Sequence, residues 1–317
     1  MTMTGYFTHR DCWKHEMGPG HPECSERLDA IEDRLLISGL DVALDRQEAP
    51  IASLTDIELA HDRIHIASMR GLSDMLKEEI EAGGPTHTQV DPDTSINIYT
   101  WDAALRAAGA AIAATDAVIA GEMPNAFCAI RPPGHHASRK KASGFCFFNN
   151  VAIAAKYALE RHGLHRVAII DFDVHHGNGT EDIVAGDDRI LMASFYQHPF
   201  YPLDYVHSSA SNLVNLPVPA YTKGMEVREL IDCMWMPRLE AFQPEMIFIS
   251  AGFDSHREDD MGQMGLVESD FAWITQRLMD VAKRYSKGRI VSCLEGGYTL
   301  SSLARSVEAH VRVLADV

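Results

Sequence analysis

Residues 165–180 read HRVAIIDFDVHHGNGT, an apolar run that changes abruptly to ionisable side chains. Successive side chains alternate in an extended backbone, so Asp171, Asp173 and His175 fall on one side. Three ionisable groups at the end of a buried strand are costly unless they bind something. Two carboxylates and an imidazole suit a divalent metal of the zinc type, whose catalytic sites keep three protein ligands and one open position. Four further stretches carry chemistry of the same kind. Arg131-Pro132-Pro133-Gly134-His135-His136 holds two imidazoles on a stiff loop, and imidazole titrates where general acid–base work needs it. Ser194 lies in an apolar run that leads to Tyr201-Pro202-Leu203-Asp204-Tyr205. Ser250-Ala251-Gly252-Phe253-Asp254 opens a charged segment containing Asp259 and Asp260. Glu295-Gly296-Gly297-Tyr298 offers a phenol beside two glycines. In Gly144-Phe145-Cys146-Phe147-Phe148-Asn149-Asn150, the aromatic beside the glycine suits the wall of an apolar tunnel, whereas Phe147 and Phe148 read as core.

These stretches need elements to hold them. The first four follow short apolar runs, over 125–130, 167–170, 190–195 and 246–250, and the phenol stretch follows 289–294. Such runs suit strands buried on both faces, as in a parallel sheet. Helical patterns over 100–120, 149–161, 225–242, 268–286 and 300–315 alternate with them. Strand, polar loop and helix in repetition predict a parallel α/β sheet with its site along the C-terminal strand edge. The Ala-rich helix over 100–120 is expected to pack closely against a flat surface. Ser25 is placed to cap a helix carrying Leu28, Ile31 and Leu35, and 56–82 reads as helix in two pieces. Residues 1–24, 86–99 and 197–223 read as loops. No linker or repeat divides the chain, so residues 1–317 are expected to form one domain; a TIM barrel would need more βα units before residue 120.

The chain carries 28 basic and 45 acidic residues, a net charge of −17, which argues against a general nucleic-acid partner. Solubility explains the acidity first, and attraction of a cationic substrate second. The six cysteines form no CxxC pair and no disulfide pattern. No apolar signal core opens the chain, and no run is expected to span a membrane. A reduced, cytoplasmic protein with no membrane partner is the expectation, with an oligomer left open.

GPGHPE near residue 18, RPPGHH, GFCFFNN, DFDVHHGNGT, SAGFD and EGGY, in this order, resemble the histone deacetylase superfamily over nearly the whole chain. HHGNGT with Phe148-Asn149-Asn150 is more similar to the class II enzymes and their bacterial relatives, the histone deacetylase-like amidohydrolases. The resemblance implies the arginase/deacetylase α/β fold, with a central, mostly parallel eight-stranded sheet flanked by helices. It implies a zinc-dependent deacetylase, a hydrolase of linear amide C–N bonds, with one Zn2+ per chain and a structural K+. The implied zinc ligands are Asp173, His175 and an acid after SAGFD; counting from Asp254 favours Asp259 over Asp260. His136 would be the general base, with Asn178 as its neighbour where some relatives have Asp. His135 would be an electrostatic partner or proton donor, with Asp171 beside it. Tyr298 would donate a hydrogen bond to the oxyanion. Gly144, Phe145, Tyr201 and Leu266 would line the acyl-lysine channel, with Asp93 holding substrate at the rim. Potassium would lie among Asp171, Asp173, His175, Ser194 and Phe195. The chain departs from the family in lacking the glycines usual at 201–205 and the proline usual at 260.

Hydrolysis of acetyl-lysine in a peptide or protein is the first reading. Acetylpolyamine deacetylation is the alternative: acidity favours it, and Leu266 in place of an acidic gate opposes it. A catalytically silent acyl-lysine-binding module would be expected to lack a ligand, the histidine pair or Tyr298, and none is missing. A two-manganese ureohydrolase would need a second cluster of carboxylates.

Overall fold

The computed structural model describes residues 3–203 and 208–317. Eight strands form one sheet: β1 (Thr4–Thr8), β2 (Leu44–Glu48), β5 (Asn125–Cys128), β6 (Val167–Asp171), β7 (Ile190–Gln197), β8 (Leu213–Val218), β9 (Met246–Ala251) and β10 (Ile290–Leu294). A separate antiparallel pair, β3 (Thr88–Asp91) and β4 (Thr94–Ile96), lies in the segment expected to be loop. The large sheet runs β2-β1-β5-β10-β9-β6-β7-β8, and every pairing in it is parallel.

That order explains the spacing of the motifs. The runs that precede the polar stretches become five neighbouring strands, β5, β10, β9, β6 and β7. Their C-terminal ends therefore open on one crevice, where ligands bind in open α/β sheets. Register sharpens this, because Asp171 of β6 pairs with Ser250 of β9.

Every residue of β5, β6, β7, β9 and β10 is buried, as continuous apolar runs in a parallel sheet require. Helices Thr100–Ala120 and Asn150–His162 cover one face of the sheet, and Glu268–Tyr285 and Leu300–Leu314 the other. Asn149 caps its helix by accepting from Ala152 N (3.0 Å), and Gly163 ends that helix with φ +68°. Helix Thr100–Ala120 is long and apolar enough to cross a membrane, contrary to the expectation that no run is. Its closely packed alanines lie against the sheet, with most of the helix buried.

Candidate active site

The first ligand set comes from β6 and β9. Asp173 and His175 lie two and four residues past Asp171, and Asp254 lies four past its register partner Ser250. His175 and Asp254 thus leave adjacent strands at the same level. His175 Nδ1 stands 3.0 Å from Asp173 Oδ1 and 3.2 Å from Asp254 Oδ2. These are the three residues whose donor atoms converge within 4.8 Å, and all are buried. The convergent set holds Asp254 in the place that the sequence expectation gave to Asp259. Asp259 faces another way and accepts from the backbone N–H of Met261 (3.0 Å), Tyr298 (2.7 Å) and Thr299 (3.0 Å). Asp260 is exposed and lines a cavity together with His175.

The electrostatics suit a cation. Burial pushes the Asp254 carboxyl up, reinforced by the charge of Asp173. For Asp173 the push of burial is outweighed by His135 and His175, which hold it below the usual carboxylate range. Burial lowers His175, but hydrogen bonds to Asp173 and Asp254 outweigh it and raise the imidazole to about 10. Asp254 Oδ2 receives no hydrogen bond among the described residues apart from the approach of this ring. Two desolvated carboxylates around one imidazole nitrogen fit a divalent ion of the zinc type, with positions left open.

The tandem histidines stand beside this cluster with opposite properties. His135 Nδ1 lies 3.0 Å from Asp171 Oδ2, so Asp171 serves His135 and stays out of the metal cluster. Burial lowers His135, yet the charges of Asp173 and Asp171 outweigh it and lift the imidazole well above its usual value. His136 Nδ1 lies 2.7 Å from the amide oxygen of Asn178. Burial, then the charges of His135 and His175, hold His136 well below its usual value. The two rings lie 4.0 Å apart.

A cavity of about 220 Å³ leads to these groups. Asp93, His136, Gly144, Phe145, His175 and Tyr201 line it, with Tyr298 at its side. The Phe145 and Tyr298 rings meet edge to face at 5.9 Å, and the Tyr201 ring stands perpendicular to His136 at 5.0 Å. Gly144 has φ +54°, and a Cβ there would come within 2.7 Å of the His136 ring, so this wall requires glycine. Asp93 sits on the β3–β4 hairpin, where burial, then its hydrogen bond with Asp91, raises its carboxyl to about 6. Burial raises the Tyr298 phenol well above its usual value.

Leu266 does not line the cavity; it is fully buried in the core, its N–H bonded to Ser255 O (3.2 Å). Met261 takes the wall position, because the turn after Asp259 brings it round. Phe200, stacked on His175 at 5.3 Å, is a second wall residue that the motifs did not single out. Ser194 Oγ donates to Asn215 Oδ1 (3.0 Å), and Phe195 stacks on Trp235 in the core. Of the divergent loop, Asp204 and Tyr205 lie outside the described residues.

The buried ion pairing behind the site was also not read from the sequence. Arg27 donates to Gly297 O (2.6 Å) and its guanidinium lies 5.0 Å from the Tyr298 ring, so it braces the phenol loop. Glu23 binds both Arg27 and Arg131, and all three are fully buried. Only a structure pairs them, since Glu23 and Arg131 are 108 residues apart.

The histone deacetylase domain model matches residues 21–314. The histone deacetylase-like amidohydrolase of Pseudomonas aeruginosa is 35% identical over 93% of this chain and 82% of its own length. The polyamine deacetylase HDAC10 of Mus musculus is 38% identical over 92% of this chain, which spans 44% of that longer protein. The crystal structure of the HDA15 HD domain superposes with a TM-score of 0.89 at 29% identity, covering 100% of this chain and 90% of that one.

Proposed function

The chain belongs to the histone deacetylase domain family, whose relatives are deacetylases and amidohydrolases, and from that premise we propose that it is a zinc-dependent deacetylase acting on acetyl-lysine side chains. The observation that carries this reading is an aromatic-walled cavity lined by His136, His175 and Tyr298, with Asp173 and Asp254 converging on His175 and the His135 ring beside that of His136. Asp173, His175 and Asp254 would hold one Zn2+ per chain. When bound, such an ion supplies polarisation of an amide carbonyl and a more acidic water.

The remaining work falls to this chain's own groups. Phe145, Tyr201, Phe200 and Met261 enclose an apolar stem and keep bulk water from it. Asp93 at the rim accepts hydrogen bonds from the substrate backbone. His136 is held neutral by burial and the charge of His135 beside it, so it takes the proton from the attacking water and passes it to the leaving amine. His135, kept protonated between Asp171 and Asp173, stabilises negative charge next to the amide. Tyr298 keeps its proton and donates it as a hydrogen bond to the oxyanion developing on the substrate carbonyl. By resemblance to the family, a structural K+ would lie among Asp171, Asp173, His175, Ser194 and Phe195.

A single convergent ligand set among the described residues favours one catalytic metal over a two-metal ureohydrolase. An acetylpolyamine is the second reading, favoured by Asp93 and Asp260 at the cavity. Apolar Met261 opposes it, in the wall place first given to Leu266. The test is turnover of an acetyl-lysine peptide and of N-acetylputrescine, by metal-stripped and zinc-restored protein, and by Tyr298→Phe. Zinc-dependent peptide hydrolysis that collapses in the variant supports the first reading. Preference for the acetylpolyamine supports the second, and turnover of neither by zinc-loaded protein contradicts both.

A further inference from the structure

Directly behind the tandem histidines lies a carboxyl group that the chemistry above leaves unused. Glu295 follows β10 and is fully buried. Its Oε2 accepts from two backbone N–H groups, Gly134 (2.6 Å) and His135 (3.1 Å). Its Oε1 accepts from the Ser250 hydroxyl on β9 (3.1 Å). These three partners are neutral, and a carboxyl buried among neutral donors is a costly feature to keep. His135 on the loop after β5, Asp171 at the end of β6, Cys146 on the aromatic loop and Cys293 on its own strand are the titratable groups around it. Burial raises its carboxyl to about 7, against the pull of His135 and the Gly134 amide.

The carbonyls of the loop it holds have other partners, with Asn150 Nδ2 donating to Pro132 O (3.2 Å), Thr180 N to His135 O (3.0 Å) and Ser143 Oγ to His136 O (3.1 Å), but its first N–H groups depend on Glu295. Pro132 and Pro133 carry no N–H, so Gly134 and His135 supply the first donors after Arg131. Both go to one oxygen of Glu295. On the far side, a Cβ at Gly134 would come within 2.6 Å of Asn150 N and 2.9 Å of Phe148 O. The turn is thus wedged between the start of helix Asn150–His162 and the carboxyl, and the two catalytic rings follow it immediately.

We propose that Glu295 is a positioning residue for the acid–base pair: it fixes the Gly134–His135 backbone and so aligns His135 and His136. This rests on the reading of those histidines as the acid–base groups of an amide hydrolase. The test compares Glu295→Gln, Glu295→Asp and Glu295→Ala in the zinc-loaded full chain. Glutamine keeps an oxygen for both N–H groups, whereas aspartate keeps the charge but withdraws the acceptor by one methylene.

The expected result is a kcat about 100-fold lower in the Asp and Ala variants, the size of effect that a small misplacement produces. KM and zinc content stay near those of the wild type, and the Gln variant recovers most of the kcat. Backbone amide exchange at residues 134–136 speeds up in the Asp and Ala variants and stays slow in the Gln variant. If the Ala variant fails to fold, the Asp and Gln pair decides. Unchanged kcat and exchange in Glu295→Asp would overturn the proposal, as would a Gln variant as impaired as Asp. If the wild type turns over neither acetyl substrate, the functional reading fails separately. Exchange then decides alone: lost protection in Asp with protection kept in Gln supports the anchor, and equal protection overturns it.

Discussion

Replacing Asn178 by aspartate puts a carboxylate on the proposed general base. His136 Nδ1 sits 2.7 Å from the Asn178 amide oxygen, so the new charge lies roughly 4 Å from the centre of an imidazolium. At the effective dielectric of a partly buried pair, that separation is worth about 4 kcal/mol, or roughly three pKa units. Asn178 is partly exposed, and solvent screening reduces the expected upward shift to about one to two units. The sign follows from the role. A general base must be neutral, so a raised pKa moves the acidic limb of kcat/KM to higher pH by the same one to two units. The assay is the pH dependence of kcat/KM on an acetyl-lysine peptide for wild type and Asn178→Asp at equal zinc content. A limb that stays in place, or moves down, would refute His136 as the base that controls it.

Two further outcomes are expected. Gly144→Ala forces a Cβ against the His136 ring at a φ of +54°, so kcat should fall about 100-fold while thermal unfolding drops only a few degrees. Glu23→Gln leaves the guanidiniums of Arg27 and Arg131 without their buried carboxylate and should cost about 3–5 kcal/mol in denaturant unfolding. Burial pushes Glu23 up, but Arg131 outweighs it and holds the folded pKa below the usual range. Its stabilisation is therefore full above the unfolded pKa and lost as pH falls through the folded value, so the gap between wild type and variant should shrink in acid.

What the chain showed of itself depended on burial. The five strands that carry the site are buried throughout and stand out as apolar runs. β2 and β8 are edge strands with exposed or alternating residues, so no continuously buried apolar run marks them. β1, buried between β2 and β5, is only five residues with two threonines and a glycine. Asp171, Asp173 and His175 were legible because they crowd one strand end. The third ligand was not, since Asp254, Asp259 and Asp260 lie within seven residues of one chain segment. Choosing among them needs the β6–β9 register, which levels Asp254 with His175 and leaves Asp259 to cap Tyr298 and Thr299. Met261 and Leu266 traded places for a related reason: the wall is set by a turn that Asp259 closes, not by count along the chain.

The most direct test of the account is zinc stoichiometry and acetyl-lysine turnover in Asp254→Asn beside Asp259→Asn, each dialysed against a chelator and reloaded. About one zinc per chain is expected in wild type and Asp259→Asn, with zinc and turnover both lost in Asp254→Asn. Full zinc and activity in Asp254→Asn, or loss of zinc confined to Asp259→Asn, would contradict it.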